Sequence, residues 1–240
     1  MTPTSGETRP ALPPLWVCHL GTVGYRAALA LQGRVRTARQ ADAIPDVLLV
    51  LDHPAVLTRG RRSAPADLPL GEDFYRARGI DIVDVDRGGR VTFHAPGLLT
   101  GYPIMRLDDV LAFLRTMECA IIAALADVGV RGEKGQRPTG VWVGEAKIAA
   151  IGLHVSRGVS THGFAINVDN DLEPWSWIVP CGLEAVRITS VREQTGARKA
   201  LMPAFRAMVA RRFAEAYGRE ARAVTPAALE ETLRPIPSLS

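Results

Sequence analysis

Cysteine is scarce in this chain and scattered along it. Cys18, Cys119 and Cys181 form an odd, widely spaced set without a CxxC pair. That pattern argues against a disulfide framework and against a cysteine-rich zinc site. With 240 residues, 47% of them hydrophobic, the chain can bury a substantial core and needs neither. Long apolar runs are missing too. None approaches the roughly 18 residues that a membrane-spanning helix needs, so no membrane partner is expected. The opening MTPTSGETRPALPP has no apolar h-region. Residues 1–14 read as a disordered leader, not a secretory signal, and the expected location is cytoplasmic. The phosphate-loop pattern GxxxxGKS/T is absent, and GLLTG at 97–101 lacks the GxGxxG spacing. The five histidines show no HExxH or comparable spacing. Neither a cofactor nor a metal is expected.

The formal charge is +4, and arginine greatly outnumbers lysine. Two groups stand out: Arg34, Arg36 and Arg39, and the RGRR run containing Arg59, Arg61 and Arg62. Such groups are either a solvated surface or a dock for an acidic partner. No RNP motif or zinc finger accompanies them, which favours a protein partner and no nucleic acid.

Hydrophobic periodicity organises the rest. PLWVCHLG, DVLLVLDHP and GIDIVDVD read as strands, the second a continuous apolar run suited to burial on both faces. A helix is expected between them, over 23–40, and a long loop over 59–72. Residues 87–107 read as turn, strand, glycine-rich bend and strand. Asp108 or Asp109 can cap a helix with Val110, Leu114, Met117, Ile121, Leu125 and Val128 on one face, ended by Gly129. A hairpin turning at Gly144-Glu145 follows, with Lys147, Ala149 and Ile151 on one face of its return strand. STHGFAINVD is one more strand, and a helix runs from Pro203 to Tyr217. Strands outnumber long helices and adjoin each other. That predicts an α/β or α+β fold, a mixed β-sheet with flanking helices, and not a doubly wound parallel sheet. A single domain over 15–218 is expected, monomeric, with 219–240 as a peripheral tail.

Two residues could carry chemistry. Cys181 lies between Pro180 and Gly182, at a bend where a thiol can face a pocket with N–H groups beside it. A structural cysteine is equally compatible with that tripeptide. Lys147 interrupts an otherwise apolar strand. On a core face its amine needs a partner or a cavity, and there it can trade protons; on an edge strand it simply reaches solvent. His94 and His162 could pair with Cys181 or merely line a pocket.

Three blocks, taken together, give this chain a resemblance to the lipoyl(octanoyl) transferase family. RGGRVTFHAPGLLTGYPI resembles that family's RGGxVT(F/Y)HxPG block, GVWVGEAKIAAIGLHVSRGVSTHGFAINVDNDL its lysine block, and IVPCGL its cysteine block. Ala95 stands where glycine is usual, and Leu98 where glutamine is common. The resemblance implies a biotin/lipoate protein ligase-like catalytic domain. It makes Cys181 the acyl-thioester nucleophile and Lys147 its proton-handling partner. Arg87, Gly88, Gly89, Arg90, Val91, Thr92, Phe93 and His94 would line the substrate site, with Ala150, Ile151, Gly152, Gly163, Phe164 and Ala165. The implied donor is octanoyl-acyl carrier protein. The implied acceptors are lipoyl domains of 2-oxoacid dehydrogenases and the glycine cleavage H protein. The alternatives are an ATP-dependent lipoate ligase, a cysteine-dependent thioesterase or amidase, and an acyl-binding module.

Overall fold

The computed structural model describes residues 12–135, 139–180, 186–197 and 201–234. Most of the expected leader and Cys181 itself lie outside the described residues. In chain order the elements are β1 (Leu15–Thr22), α1 (Tyr25–Gln40), β2 (Val47–Asp52), β3 (Val56–Arg59), α2 (Glu72–Arg76), β4 (Asp81–Asp84), β5 (Val91–His94), β6 (Leu98–Ile104) and α3 (Val110–Ala126). Then come β7 (Glu133–Lys134), β8 (Gly140–Val143), β9 (Ala146–Ser156), β10 (Val159–Asn167), β11 (Arg187–Ile188), α4 (Val191–Thr195), α5 (Met202–Ala216), β12 (Ala221–Ala223) and α6 (Pro226–Thr232).

The strands of the main sheet run in the order β12-β1-β2-β6-β10-β9-β8-β7, with β11 added alongside β9. β1 pairs parallel to β2 and to β12, while β2–β6, β6–β10, β10–β9 and β9–β8 are antiparallel. The sheet is therefore mixed, as its patterning predicts. A second sheet, β4-β3-β5, stands beside it.

β2 shows why the sheet sits at the centre. All six of its residues are buried. Leu48 and Val50 face a core shared with α3 and α5, and Val47, Leu49 and Leu51 face one shared with α1. An unbroken apolar strand is what two covered faces require. Each such side chain contributes about 1.5–3 kcal/mol by leaving water. α1 returns the favour with Ala28, Leu31 and Val35, three or four apart. α3 starts where Asp109, the second of the two candidate caps, accepts hydrogen bonds from the Leu111 and Ala112 N–H groups. It buries Phe113, Met117, Ile121 and Leu125 against α5. Val110, expected on that buried face, is instead 44% exposed.

The segment after Gly218 corrects the expectation of a peripheral tail. β12 extends the sheet beside β1, and Leu229 on α6 is buried beneath α1. The Arg219 guanidinium donates to Asp46, a carboxylate buried among Arg39 and the Arg106 N–H. A short polar segment gives little periodicity to read, and its partners lie some two hundred residues away in sequence. The Arg34–Arg39 group is likewise not a free patch. Arg34 pairs with Glu230, and Arg39 pairs with Asp42 and Asp46.

Candidate active site

Two of the three blocks singled out in the sequence, the RGG block and the lysine block, meet at one cavity of about 760 Å³. Its wall is built from β9 and β10, its rim from the Arg87–Arg90 turn, and one side from the start of α3.

Lys147 lies in the wall, 4% exposed. Three features of the backbone put it there. On β8, Val141 pairs with Ala149 and the next residue, Trp142, pairs with Lys147, so Ile148 is the extra residue of a β-bulge. The bulge shifts the alternation of side chains. Lys147, Ala150 and Ile151 line the cavity, while Ala149, expected on the same strand face as Lys147, packs into the core. Gly140, opposite Ala150, has φ +150°, and a Cβ there would come within 2.7 Å of Lys147 Cε. The lysine stem therefore lies across a glycine, with Nζ 5.6 Å from the centre of the Trp142 ring. On its other side β11 runs parallel to β9. Ile188 pairs with Lys147, and the Thr189 N–H donates to the Lys147 carbonyl.

β11 matters because it follows the cysteine segment. Upstream of that segment, the Trp177 carbonyl accepts from the Tyr75 hydroxyl, and the Val179 N–H donates to the Asp67 carbonyl. Residues 181–185 lie outside the described residues, between this anchor and the strand that pairs with Lys147.

The Arg87–Gly89 turn is held on all sides. The Arg87 guanidinium is buried and donates to the Thr58 carbonyl at 2.9 Å, the Thr58 hydroxyl at 2.7 Å and the Gly88 carbonyl. The Gly88 N–H donates to Leu153, and the Arg61 and Arg62 N–H groups donate to the Arg87 and Gly89 carbonyls. Gly152 is needed under this turn, since a Cβ there would lie 3.0 Å from the Gly88 carbonyl oxygen. Arg90 reaches Asp67, a fully buried carboxylate, at 2.6 Å. Arg87, Gly88, Gly89, Arg90, Thr92 and His94 all line the cavity. Val91 and Phe93 do not: strand alternation turns them to the far side of β5, into a core with Trp175. Ala150, Ile151, Gly152, Gly163, Phe164 and Ala165 line it as expected. Ala95 and Leu98 are buried in the Val91–Phe93 core instead.

A polar cluster stands at the cavity's other end, where the expected His94 and His162 line it together with Tyr25 and Tyr102, and His53 and Asp86 stand behind. His53 Nδ1 lies 2.6 Å from the Val23 carbonyl and its Nε2 2.7 Å from the Tyr102 hydroxyl. His162 Nε2 lies 2.7 Å from Asp86, and its Nδ1 3.5 Å from the Tyr25 hydroxyl. Burial holds all three of His53, His94 and His162 below the usual histidine range, His94 furthest, with the charge of Arg87 adding to the effect on His94 and His162. They are neutral at pH 7, which makes them hydrogen-bonding groups of the wall. Single tyrosines carry no spacing signal, so sequence reading had no way to single out Tyr25 and Tyr102.

The remaining thiols contrast with each other. Cys18 is buried, and desolvation with help from Glu230 pushes it up to about 11, far from a thiolate. Cys119 is exposed on α3. In the arginine loop, Arg59 is taken up by Glu72 and Asp84, while Arg61 and Arg62 stand exposed, Arg62 at the cavity.

Residues 24–214 match the family model described as the lipoyl protein ligase A/B catalytic domain. An octanoyltransferase of Solibacter usitatus is 46% identical over 168 residues, 68% of this chain and 76% of that protein. One from Acidobacterium capsulatum is 40% identical over 220 residues, 84% of this chain and 89% of that protein. Among solved structures, lipoate-protein ligase A bound with ATP superposes with a TM-score of 0.76 at 20% identity, covering 92% of each chain. At that identity the superposition speaks for the fold.

Proposed function

We propose a reaction from one premise: the chain belongs to the family of lipoyl protein ligase A/B catalytic domains. It is an acyltransferase that carries octanoyl groups in protein lipoylation. The donor we assign is octanoyl-acyl carrier protein, and the acceptor is the ε-amine of a lysine on a lipoyl domain, in the cytoplasm.

The observation that carries this reading is a buried lysine amine in the wall of a cavity large enough for an acyl chain and an incoming arm. The steps follow from its position. Cys181 loses its proton to the Lys147 amine, and the thiolate adds to the thioester carbonyl. The tetrahedral adduct collapses, and the carrier leaves as a thiol with the proton that Lys147 took from Cys181, which returns Lys147 to the neutral amine. The acceptor amine then adds to the enzyme thioester while Lys147 takes its proton. Collapse forms the amide and releases the Cys181 thiolate. Thioester to amide is downhill, so no ATP is consumed. Backbone N–H groups beside Cys181 would hold the oxyanion. The apolar wall of Ala150, Ile151, Phe164 and Ala165 suits the chain, each buried CH₂ being worth about 0.8 kcal/mol. Exposed Arg61 and Arg62, beside Arg59 in the arginine loop, are the basic groups we assign to meeting an acidic carrier.

The test is intact-protein mass spectrometry after mixing with octanoyl-acyl carrier protein, without ATP. The expected result is a hydroxylamine-labile octanoyl adduct on the wild type and none on Cys181→Ser. Adding an apo lipoyl domain discharges the adduct with the matching mass gain on that domain. Transfer only with free octanoate and ATP would make the protein a ligase, and discharge to water alone a thioesterase.

A further inference from the structure

The tyrosines at the end of the cavity have their hydroxyl hydrogens directed away from it. The Val23 carbonyl can only accept, so His53 Nδ1 carries the proton, and neutral Nε2 must accept from Tyr102 at 2.7 Å. The Asp86 carboxylate can only accept, so His162 Nε2 carries the proton and Nδ1 is an acceptor. The Tyr25 hydroxyl lies 3.5 Å from that Nδ1, an acceptor without a proton of its own, so the hydroxyl hydrogen points there. Burial keeps both phenols protonated across the physiological range. What they present to the cavity is oxygen lone pairs, an acceptor surface beyond an apolar stretch.

Position gives that surface a meaning. Beyond Lys147 along β9, Ala150 pairs with Ala165 and Gly152 with Gly163, and all four line the cavity. On β6, Thr100 pairs with Ala165, so Tyr102, two residues on along the same face, stands beyond it. An acyl chain held near Lys147 and laid over Ala150 and Ala165 therefore runs toward Tyr25 and Tyr102.

We infer that Tyr25 and Tyr102 are specificity-determining residues: they limit how long an alkyl chain the site takes, and they accept a chain of that length whose far end carries a hydrogen-bond donor. An alkyl terminus that reaches them strips water from acceptors it cannot satisfy, whereas a terminal hydroxyl replaces that water. This rests on the acyltransfer reading above.

The test compares straight-chain acyl thioesters of the carrier protein, lengthened two carbons at a time, with their ω-hydroxy counterparts. kcat/KM for transfer is read in wild type, Tyr25→Phe and Tyr102→Phe. In wild type the alkyl series falls off at some length, and there the ω-hydroxy donor is better by about tenfold, the worth of one satisfied buried acceptor. In the two variants that advantage shrinks to about twofold or less, and the alkyl fall-off moves at least one step longer. These are ratios between donors on one protein, so partial loss of folded material does not move them. No hydroxyl preference in wild type at any length overturns the inference without needing either variant. So does an unchanged fall-off and preference in both variants, even with octanoyl transfer intact. Wild type that transfers no octanoyl at all overturns the acyltransfer reading itself, and this inference with it.

Discussion

Gly140→Ala adds one methyl group where the Lys147 wall is tightest. Gly140 opens β8 at φ +150°, hydrogen-bonded through its N–H to the buried Glu118 carboxylate. A Cβ there would strike the Ala149 carbonyl and lie 2.7 Å from Lys147 Cε and 3.3 Å from Nζ. An L side chain in so sparsely populated a region costs about 1–3 kcal/mol. Overpacking against a backbone carbonyl adds about 1–3 kcal/mol more. In a chain of this size 1 kcal/mol moves the melting temperature by about 2–4 °C, so a loss near 10 °C is expected. The lysine stem must also shift, and displacements of about 1 Å at a reacting group can cost on the order of 100-fold in rate. Octanoyl transfer per folded molecule should therefore drop by about 10–100-fold. Gly144→Ala in the adjoining turn is the control. Gly144 also has positive φ, +56°, but nothing lies within 4 Å of an added Cβ. It should lose only about 1–2 kcal/mol and keep full activity. Thermal melts and initial transfer rates on both variants decide the matter. A Gly140→Ala protein that melts with wild type and transfers at full rate would show that Lys147 is not held by this glycine.

Lys147→Met keeps the stem and removes the amine. Transfer should fall by about 10²–10⁴-fold, while the melting temperature holds or rises because a buried polar group is gone; an unimpaired rate would remove Lys147 from the chemistry. Stability should decline as pH falls from about 6.5. The unfolded chain takes up protons on His53, His94 and His162 there, while the folded chain, with their pKa values lowered, does not. Each group steepens the loss by up to about 1.4 kcal/mol per pH unit, down to its folded pKa. Urea midpoints at several pH values measure the slope, and a flat profile between neutrality and pH 5 would contradict neutral burial. A thiol alkylating agent should modify Cys119 readily in the native protein and leave Cys18, raised to about 11, intact until unfolding; peptide mass mapping reads the sites, and early Cys18 labelling would refute its burial. Truncation after Gly218 removes Arg219 from the buried Asp46 and leaves the β1 edge bare. A loss of about 3–5 kcal/mol is expected from urea melts, and a truncated chain as stable as the full one would restore the peripheral-tail picture.

What could be read in the sequence was what repeats along it. β2 announces itself because both faces are covered, so every residue is apolar, and α3 because a capping aspartate precedes a stripe at helical spacing. The RGG turn, the lysine strand and the β10 segment were found as motifs, and the fold brings them to one cavity. What could not be read depends on partners distant in sequence. The bulge at Ile148 exists only in register with β8, so alternation along β9 could not show that Ala149 leaves the face of Lys147 for the core. Val91 and Phe93 sit inside a matching motif, yet strand alternation sends them to the opposite core. The tail became a strand and a helix because β1 offered an edge and Asp46 a buried charge.

The unfavourable features of this chain are not spread evenly, and their placement is itself informative. Three described residues other than glycine have positive φ: Asp42, Arg157 and His162. Asp42 follows a helix and Arg157 occupies the β9–β10 turn, where such backbone is ordinary. His162 lies within β10, fully paired to β9. A histidine held there costs on the order of 1–3 kcal/mol unless its surroundings fix it. They do: its N–H donates to Gln32 Oε1 at 2.8 Å, and its ring lies between Asp86 and Tyr25. Lys147 is a buried amine, Arg87 a buried guanidinium, and Gly140 a strand residue at a φ reserved for glycine. A fold selected for stability alone would place apolar side chains on relaxed backbone at each of these positions. Three of the four line one cavity and Gly140 lies against the Lys147 stem in its wall, so the strain and the desolvation act on whatever occupies that space. The lysine and the tyrosine–histidine cluster mark its two ends, and the apolar floor between them is as chemically specified as either.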